Sequence, residues 1–265
     1  MKILITGVCG FLGSYLAKEL IANGNTVVGV DITPDKERIR SIVNNGRFTL
    51  LTKDVTNEDD CKSIFYKNPD IQIVIHLAEM GLVSDITSAN NLMQRCFQAP
   101  NMKFVYVSNN KDSLDEAFTY TQYIQLAVES TIRGFCQLYG LESYIFKVPE
   151  VLGRYETDST VEYIIRTLKV SNKIAIYDGK FSFSYIKEVV QTILDKVGKG
   201  LERSVNIFRW NIGSVTMEQV TDRIGKVMNV NPDKQIIETN ANLHVVTIEP
   251  KVSTEEAIEK AIVEV

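Results

Sequence analysis

The sequence predicts an α/β protein, a doubly wound parallel sheet (Rossmann-like) with a small interleaved C-terminal capping lobe. Three observations carry this. Short, nearly continuous apolar runs recur through residues 1–149, each followed by a segment with helical spacing of apolar residues. The runs are apolar on both faces, as strands are when helices cover both sides of a parallel sheet. The first run leads directly into a glycine-rich turn, Gly7 to Gly13, that opens the first helix.

Lys2-Ile3-Leu4-Ile5-Thr6 is the first buried strand, ended by Gly7. A helix follows from Gly10 to Asn23, with Leu12, Leu16, Leu20 and Ile21 near helical spacing, and Asn23-Gly24-Asn25 stops it. Residues 26–30 form the next strand, with Asp31 at its C-terminal end. Strand 48–51 leads into Asp54, and a helix covers 57–66. A strand spans 71–77, a helix 86–98, a strand 103–107 ending at Ser108, a long helix 119–139 and a strand 143–148. This alternation implies parallel pairing with right-handed crossovers.

After Pro149 the rhythm loosens. Helices are expected at 159–169, 186–197, 216–229 and 253–263. Short strands are expected near 174–177 and around 205–213. The division is therefore a dinucleotide-binding domain over 1–149, which the segment 178–205 rejoins, and a smaller substrate or capping lobe over 150–265.

Composition narrows the function. Apolar residues make up 45% of 265, enough to bury a substantial core, so a disordered chain is excluded. A net charge of −4 with interspersed signs argues against a nucleic-acid surface. Four scattered cysteines and two histidines, His76 and His244, provide no metal-ligand spacing. No apolar run is long enough for a membrane span, and no cleavable leader precedes the first strand, so a cytoplasmic location is expected.

The sharpest signal is Thr6-Gly7-Val8-Cys9-Gly10-Phe11-Leu12-Gly13, placed after a strand and before a helix. One glycine permits the tight turn, one lets the backbone approach a pyrophosphate, and one lets the helix pack on the strand. The helix start then offers free N–H groups and a partial positive charge to phosphates. Asp31 stands 18 residues beyond Gly13. A carboxylate there accepts hydrogen bonds from the adenosine ribose and repels a 2′-phosphate, which favours NAD over NADP. Lys36, Arg38 and Arg40 close behind leave NADP as the less favoured alternative. His76 and Cys9 read as structural, and Ser108, at the C-terminal edge of the sheet, is the surviving catalytic candidate.

The glycine turn with Phe11-Leu12-Gly13, then Asp54-Val55, Ile75-His76-Leu77-Ala78 and Phe104-Val105-Tyr106-Val107-Ser108, occur in an order that resembles a known family. It is the extended short-chain dehydrogenase/reductases, specifically the NAD-dependent epimerase/dehydratase group acting on nucleotide sugars. Tyr177-Asp178-Gly179, Phe183-Ser184-Tyr185-Ile186, Asn211-Ile212-Gly213-Ser214 and the segment from Glu249 to Ile258 extend the likeness over essentially the whole chain. The resemblance implies that Ile32 follows Asp31 at the adenosine, that Asp54 and Val55 face the adenine, and that Leu77, Ala78 and Glu79 line the nicotinamide ribose. It also implies a nucleotide-sugar substrate and a homodimer formed through the 119–139 helix.

The resemblance implies a tyrosine acid/base with a lysine four residues later, because a phenol of pKa about 10 needs a nearby cation to work near neutrality. Here those positions are Thr121 and Gln125, and neither can do that chemistry. Tyr120 is adjacent but has Ile124 four residues on. The usual asparagine early in the fourth helix is Asp85, and the arginine–asparagine pair after the sixth strand becomes Lys147 and Glu150. Two readings follow: a divergent oxidoreductase or epimerase using Ser108 and Tyr120, or a catalytically silent dinucleotide-binding subunit. A reductase for a smaller substrate is the third.

Overall fold

The computed structural model describes residues 1–81, 83–99, 101–109, 120–157, 159–198, 205–237 and 252–264, without the side chains of Asn109, Tyr120, Thr121, Ala257, Val263 and Glu264. Along the chain run β1 (Lys2–Thr6), α1 (Phe11–Ala22), β2 (Thr26–Asp31), β3 (Phe48–Thr52), α2 (Glu58–Lys67), β4 (Ile73–His76), α3 (Val83–Gln98), β5 (Lys103–Asn109), α4 (Tyr120–Tyr139) and β6 (Ser143–Val148). They are followed by β7 (Glu150–Leu152), α5 (Thr160–Val170), β8 (Lys173–Tyr177), β9 (Lys180–Phe181), β10 (Phe183–Tyr185), α6 (Ile186–Gly198), β11 (Val205–Arg209), β12 (Val215–Thr216), α7 (Met217–Met228), β13 (Asp233–Ile237) and α8 (Thr254–Glu264).

Seven strands form one parallel sheet in the order β11-β6-β5-β4-β1-β2-β3. The chain leaves β1 toward β2 and β3, then returns to the other side of β1 for β4, β5 and β6. The order therefore reverses between β1 and β4, and ligands of such sheets bind outside the carboxyl ends of the strands at that reversal. Leu4 lies opposite Val28 on one side and Val74 on the other, and all three are fully buried. Phe104, Leu92, Val128 and Ile132 continue the same core toward α3 and α4. The apolar runs form strands because helices cover both faces and leave no face for polar residues.

Among the described residues the chain divides into two compact units. One takes in 1–109, 120–147 and 190–208, and the other 148–189 and 209–264. The second unit has its own core, with Ile164, Ile165, Ile176, Phe183, Ile224 and Ile258 all buried. Its β8 and β13 pair in parallel from Lys173 opposite Asp233 to Tyr177 opposite Ile237. The sequence reading has no strand at β13, because Asp-Lys-Gln-Ile-Ile shows no two-residue alternation and leaves Ile236 exposed. Backbone pairing with β8 makes it a strand. His244 and the segment 249–251 fall outside the described residues, and no described helix is long and apolar enough to cross a membrane.

Candidate functional site

The glycine turn sits at the reversal point. Gly7 has φ +67°, a left-handed backbone that a side chain resists, and its N–H donates to the Val30 carbonyl at 2.8 Å. A Cβ on Gly7 would stand 2.9 Å from the Ala78 nitrogen and 3.0 Å from the Leu77 carbonyl carbon, so the turn lies flush against the end of β4. A Cβ on Gly13 would strike the Gly7 carbonyl oxygen and come 2.9 Å from the Val8 Cα. Gly10, between them, is the N-cap of α1.

The start of α1 differs from those of α2, α5 and α7. Asn57 caps α2, Ser159 caps α5, and Thr216 with Gln219 forms a capping box on α7. The first turn of α1 has no side-chain cap and no acidic residue. Its N–H groups, at half-buried Phe11 and Leu12 and at Gly13, thus present partial positive charge without a protein carboxylate in the first turn. A cradle that a Cβ would fill, backed by an uncapped helix start, suits a diphosphate.

Asp31, half-buried, accepts from the Cys9 N–H at 3.0 Å through Oδ2 and from the Thr33 N–H at 3.3 Å through Oδ1. Each carboxylate oxygen can accept more than one bond, so capacity remains for ribose hydroxyls. Burial and the neighbouring carboxylates push the Cys9 thiol up to about 12, so it is not a thiolate at neutral pH. Ile32 is exposed beside it. Asp54 is half-buried and accepts from the Thr56 N–H and hydroxyl at 2.8 and 2.7 Å, while Val55 is buried in the core.

On the other flank, Thr6 ties β1 to β4. Its hydroxyl accepts from the Leu77 and Ala78 N–H groups at 3.2 and 3.3 Å and lies 2.7 Å from His76 Nδ1. Having accepted twice, it donates its proton to Nδ1, which leaves the imidazole proton on Nε2. That nitrogen is 3.1 Å from Ser88 Oγ, which donates onward to the Asp85 carbonyl at 3.0 Å. Every group is satisfied only with His76 neutral. Burial lowers its pKa to about 4, in agreement. His76 holds the edge together and faces no solvent.

Beyond it lies the region implied to hold the reacting groups. Asp85 caps the backbone by accepting from the Met80 and Gly81 N–H groups at 2.7 and 3.1 Å. Glu79 is exposed, and its Oε1 accepts from the Gln125 amide at 2.7 Å. Gln125, at the lysine position of the resemblance, is thus engaged with a carboxylate. Ser108 is 3% exposed and donates to Glu129 Oε1 at 2.6 Å, and Lys147 Nζ donates to Glu129 Oε2 at 3.0 Å. Lys147 and Glu129 are both buried, so the pair lies away from water with Ser108 as a third member. Tyr106 is buried, and desolvation first, then Glu79 and other carboxylates, push its phenol far up. Tyr120 opens α4, but its side chain, like that of Thr121, lies outside the described part.

The sequence reading overlooked the Glu79–Gln125 and Ser108–Glu129–Lys147 contacts. The one hint was local: Lys147 is a charged residue in an otherwise apolar strand, and Glu129 lies on an apolar helix face. Among the described residues no group of His, Cys, Asp and Glu is arranged to hold a metal ion.

The family model described as NAD dependent epimerase/dehydratase matches residues 3–213. Protein CapI of Staphylococcus aureus is 26% identical over 235 residues, covering 75% of this chain and 70% of that protein. The probable UDP-glucuronate 4-epimerase of Rhizobium meliloti is 25% identical over 233 residues, covering 73% and 67%. A UDP-glucuronic acid 4-epimerase from Bacillus cereus, solved with UDP-glucuronic acid and NAD, superposes with TM-score 0.84 at 19% identity. It covers 100% of this chain and 98% of that one. A dTDP-glucose 4,6-dehydratase from Bacillus anthracis, solved with NAD, gives TM-score 0.85 at 15% identity, covering 100% and 96%. These structural likenesses speak for the fold. The family match takes in the glycine turn, Asp31, the end of β4 and all of α4, and on it the chain belongs to the NAD dependent epimerase/dehydratase family.

Proposed function

We propose that this protein binds NAD across the C-terminal edge of its sheet and is a divergent oxidoreductase or epimerase of the nucleotide-sugar type. The observation that carries the reading is the uncapped start of α1 beside a turn in which Gly7 and Gly13 have no room for a side chain. Gly7, Gly10, Phe11, Leu12 and Gly13 would hold the diphosphate, and Asp31 with Ile32 the adenosine ribose. Asp54 would flank the adenine together with the backbone of Val55, whose side chain lies in the core. Leu77, Ala78 and Glu79 would line the second nucleoside. Bound NAD supplies a hydride acceptor for transient oxidation of a sugar carbon. The protein's own part is to position that sugar, exclude water and move one proton, with Tyr120 and Ser108 as the candidates.

NAD is favoured over NADP because the Asp31 carboxylate would repel a 2′-phosphate. The relatives named for UDP-glucuronate support a nucleotide sugar as substrate, and the second unit, 148–189 and 209–264, is assigned to holding it. Exposed Phe97, Tyr123, Leu138 and Tyr139 on α3 and α4 support a homodimer through α4, which sedimentation equilibrium would test.

A second reading, a silent NAD-binding subunit, draws on two observations. Gln125 is bonded to Glu79, and the Ser108 hydroxyl already donates to Glu129. Calorimetry with NAD and NADP, followed by incubation with UDP-, GDP- and dTDP-sugars, separates the two. NAD binding with sugar turnover that Ser108→Ala or Tyr120→Phe abolishes supports the enzyme. NAD binding without turnover supports the silent subunit. No heat with either dinucleotide would sink both.

A further inference from the structure

The strand order assigns the two ends of the ligand. Asp31 ends β2 on one side of β1, and the diphosphate cradle sits at the end of β1 itself. The second nucleoside then crosses the end of β4, where Ala78 packs against Gly7 and Glu79 is the next residue. This step rests on the NAD reading above. Glu79 is exposed there and anchored by one bond from Gln125, an uncharged amide that orients the carboxylate without cancelling its charge. No lysine or arginine among the described residues forms an ion pair with it.

The charges around Glu79 do not offset it. Asp85, from α3, is a second carboxylate, buried against the Met80 and Gly81 amides. Glu129, from α4, is matched by Lys147 and Arg133. Tyr106, from β5, stays a neutral phenol. The family's cation at the Gln125 position is gone. Among the described residues this end of the site is therefore net negative.

We propose that Glu79, held by Gln125, makes the site select oxidised over reduced NAD. The two forms share every group except the nicotinamide ring, which carries a positive charge when oxidised and none when reduced. A fixed carboxylate beside that ring couples only to this difference. For unit charges some 5–6 Å apart with solvent nearby, Coulomb attraction corresponds to a preference of about three- to tenfold. By linkage the same preference makes the bound cofactor a weaker hydride acceptor, as suits a chain without the tyrosine–lysine pair. The surrounding protein first, then Asp85, hold the Glu79 carboxyl above the usual carboxylate range, so the preference fades as acid protonates it.

The test is calorimetry with NAD, NADH and ADP-ribose, which lacks the nicotinamide. The expected result is tighter binding of NAD than of NADH at pH 8 by about three- to tenfold. That ratio should fall to near one in Glu79→Gln and in Gln125→Lys, where a cation neutralises the carboxylate. Affinity for AMP, titrated alongside and carrying neither the second ribose nor the ring, should be the same in all three proteins, which also reports that the variants are folded. A ratio unchanged by Glu79→Gln, with ADP-ribose still bound, overturns the inference alone. Failure of the unsubstituted protein to bind ADP-ribose overturns the dinucleotide reading beneath it.

Discussion

The two flanks of the glycine turn are built on different principles. On the β2 side, the proposed site is made largely of backbone: glycines without room for a Cβ, an uncapped helix start, and beside them Asp31 with acceptor capacity to spare. On the β4–β5–α4 side it is made of side chains, and these are bonded to one another, Gln125 to Glu79 and Ser108 to Glu129 to Lys147. A backbone cradle can change only by losing its glycines, and with them the close packing of α1 on the turn and of the turn on the residues after β4. A side-chain constellation can be rewired within an intact sheet. The sheet edge carries both kinds, a turn fixed by its glycines and side chains bonded to one another.

That contrast can be broken most forcefully at the buried pair. Lys147→Met should cost about 3 kcal/mol in urea unfolding, because it leaves the buried Glu129 carboxylate with only Ser108 and the more distant, exposed Arg133 as partners. Adding Glu129→Leu should recover much of the loss. A single substitution costing under about 1 kcal/mol would show that the pair does not organise this flank.

The acid response of the β4 end comes next in size. His76 is neutral and buried when folded, with its pKa lowered to about 4 from 6.5. Below pH 6.5 the unfolded chain takes up a proton that the folded chain refuses, so stability falls as pH drops from 6.5 toward 4. By pH 5 the loss should be about 2 kcal/mol relative to pH 7. His76→Asn should flatten that part of the pH–stability curve, and a slope kept in the variant would assign it to other groups.

The smallest effect sharpens the β2 side. Asp31→Asn keeps an acceptor for the Cys9 N–H but removes the charge. NAD affinity should fall about tenfold, as expected for loss of charge-assisted hydrogen bonds, while NADP affinity holds or rises. Equal losses for both dinucleotides in calorimetry would detach Asp31 from cofactor choice.

The sheet was legible in the sequence because apolar periodicity and glycine sterics act over a few neighbouring residues. Strands 26–30 and 143–148, the long helix ending at 139 and the turn at 7–13 could each be read from a short window. β13 could not, because its pairing with Lys173–Tyr177 comes from some sixty residues away. The same limit governed the site. The resemblance sets Thr121 and Gln125 at the tyrosine and lysine positions, but that Gln125 bonds Glu79 could not be read from it.

The amino-acid order by itself determined the alternation of strands and helices, the glycines of the cradle and the acidic residue beyond it, since each rests on local backbone geometry. Only the tertiary structure decided that Gln125 meets Glu79 across 46 residues, and that Ser108 spends its proton on Glu129 across 21. Hydrogen bonds between side chains need donor and acceptor within about 3 Å, a distance set by the packing of α4 against α3 and β5 and by no property of either residue alone.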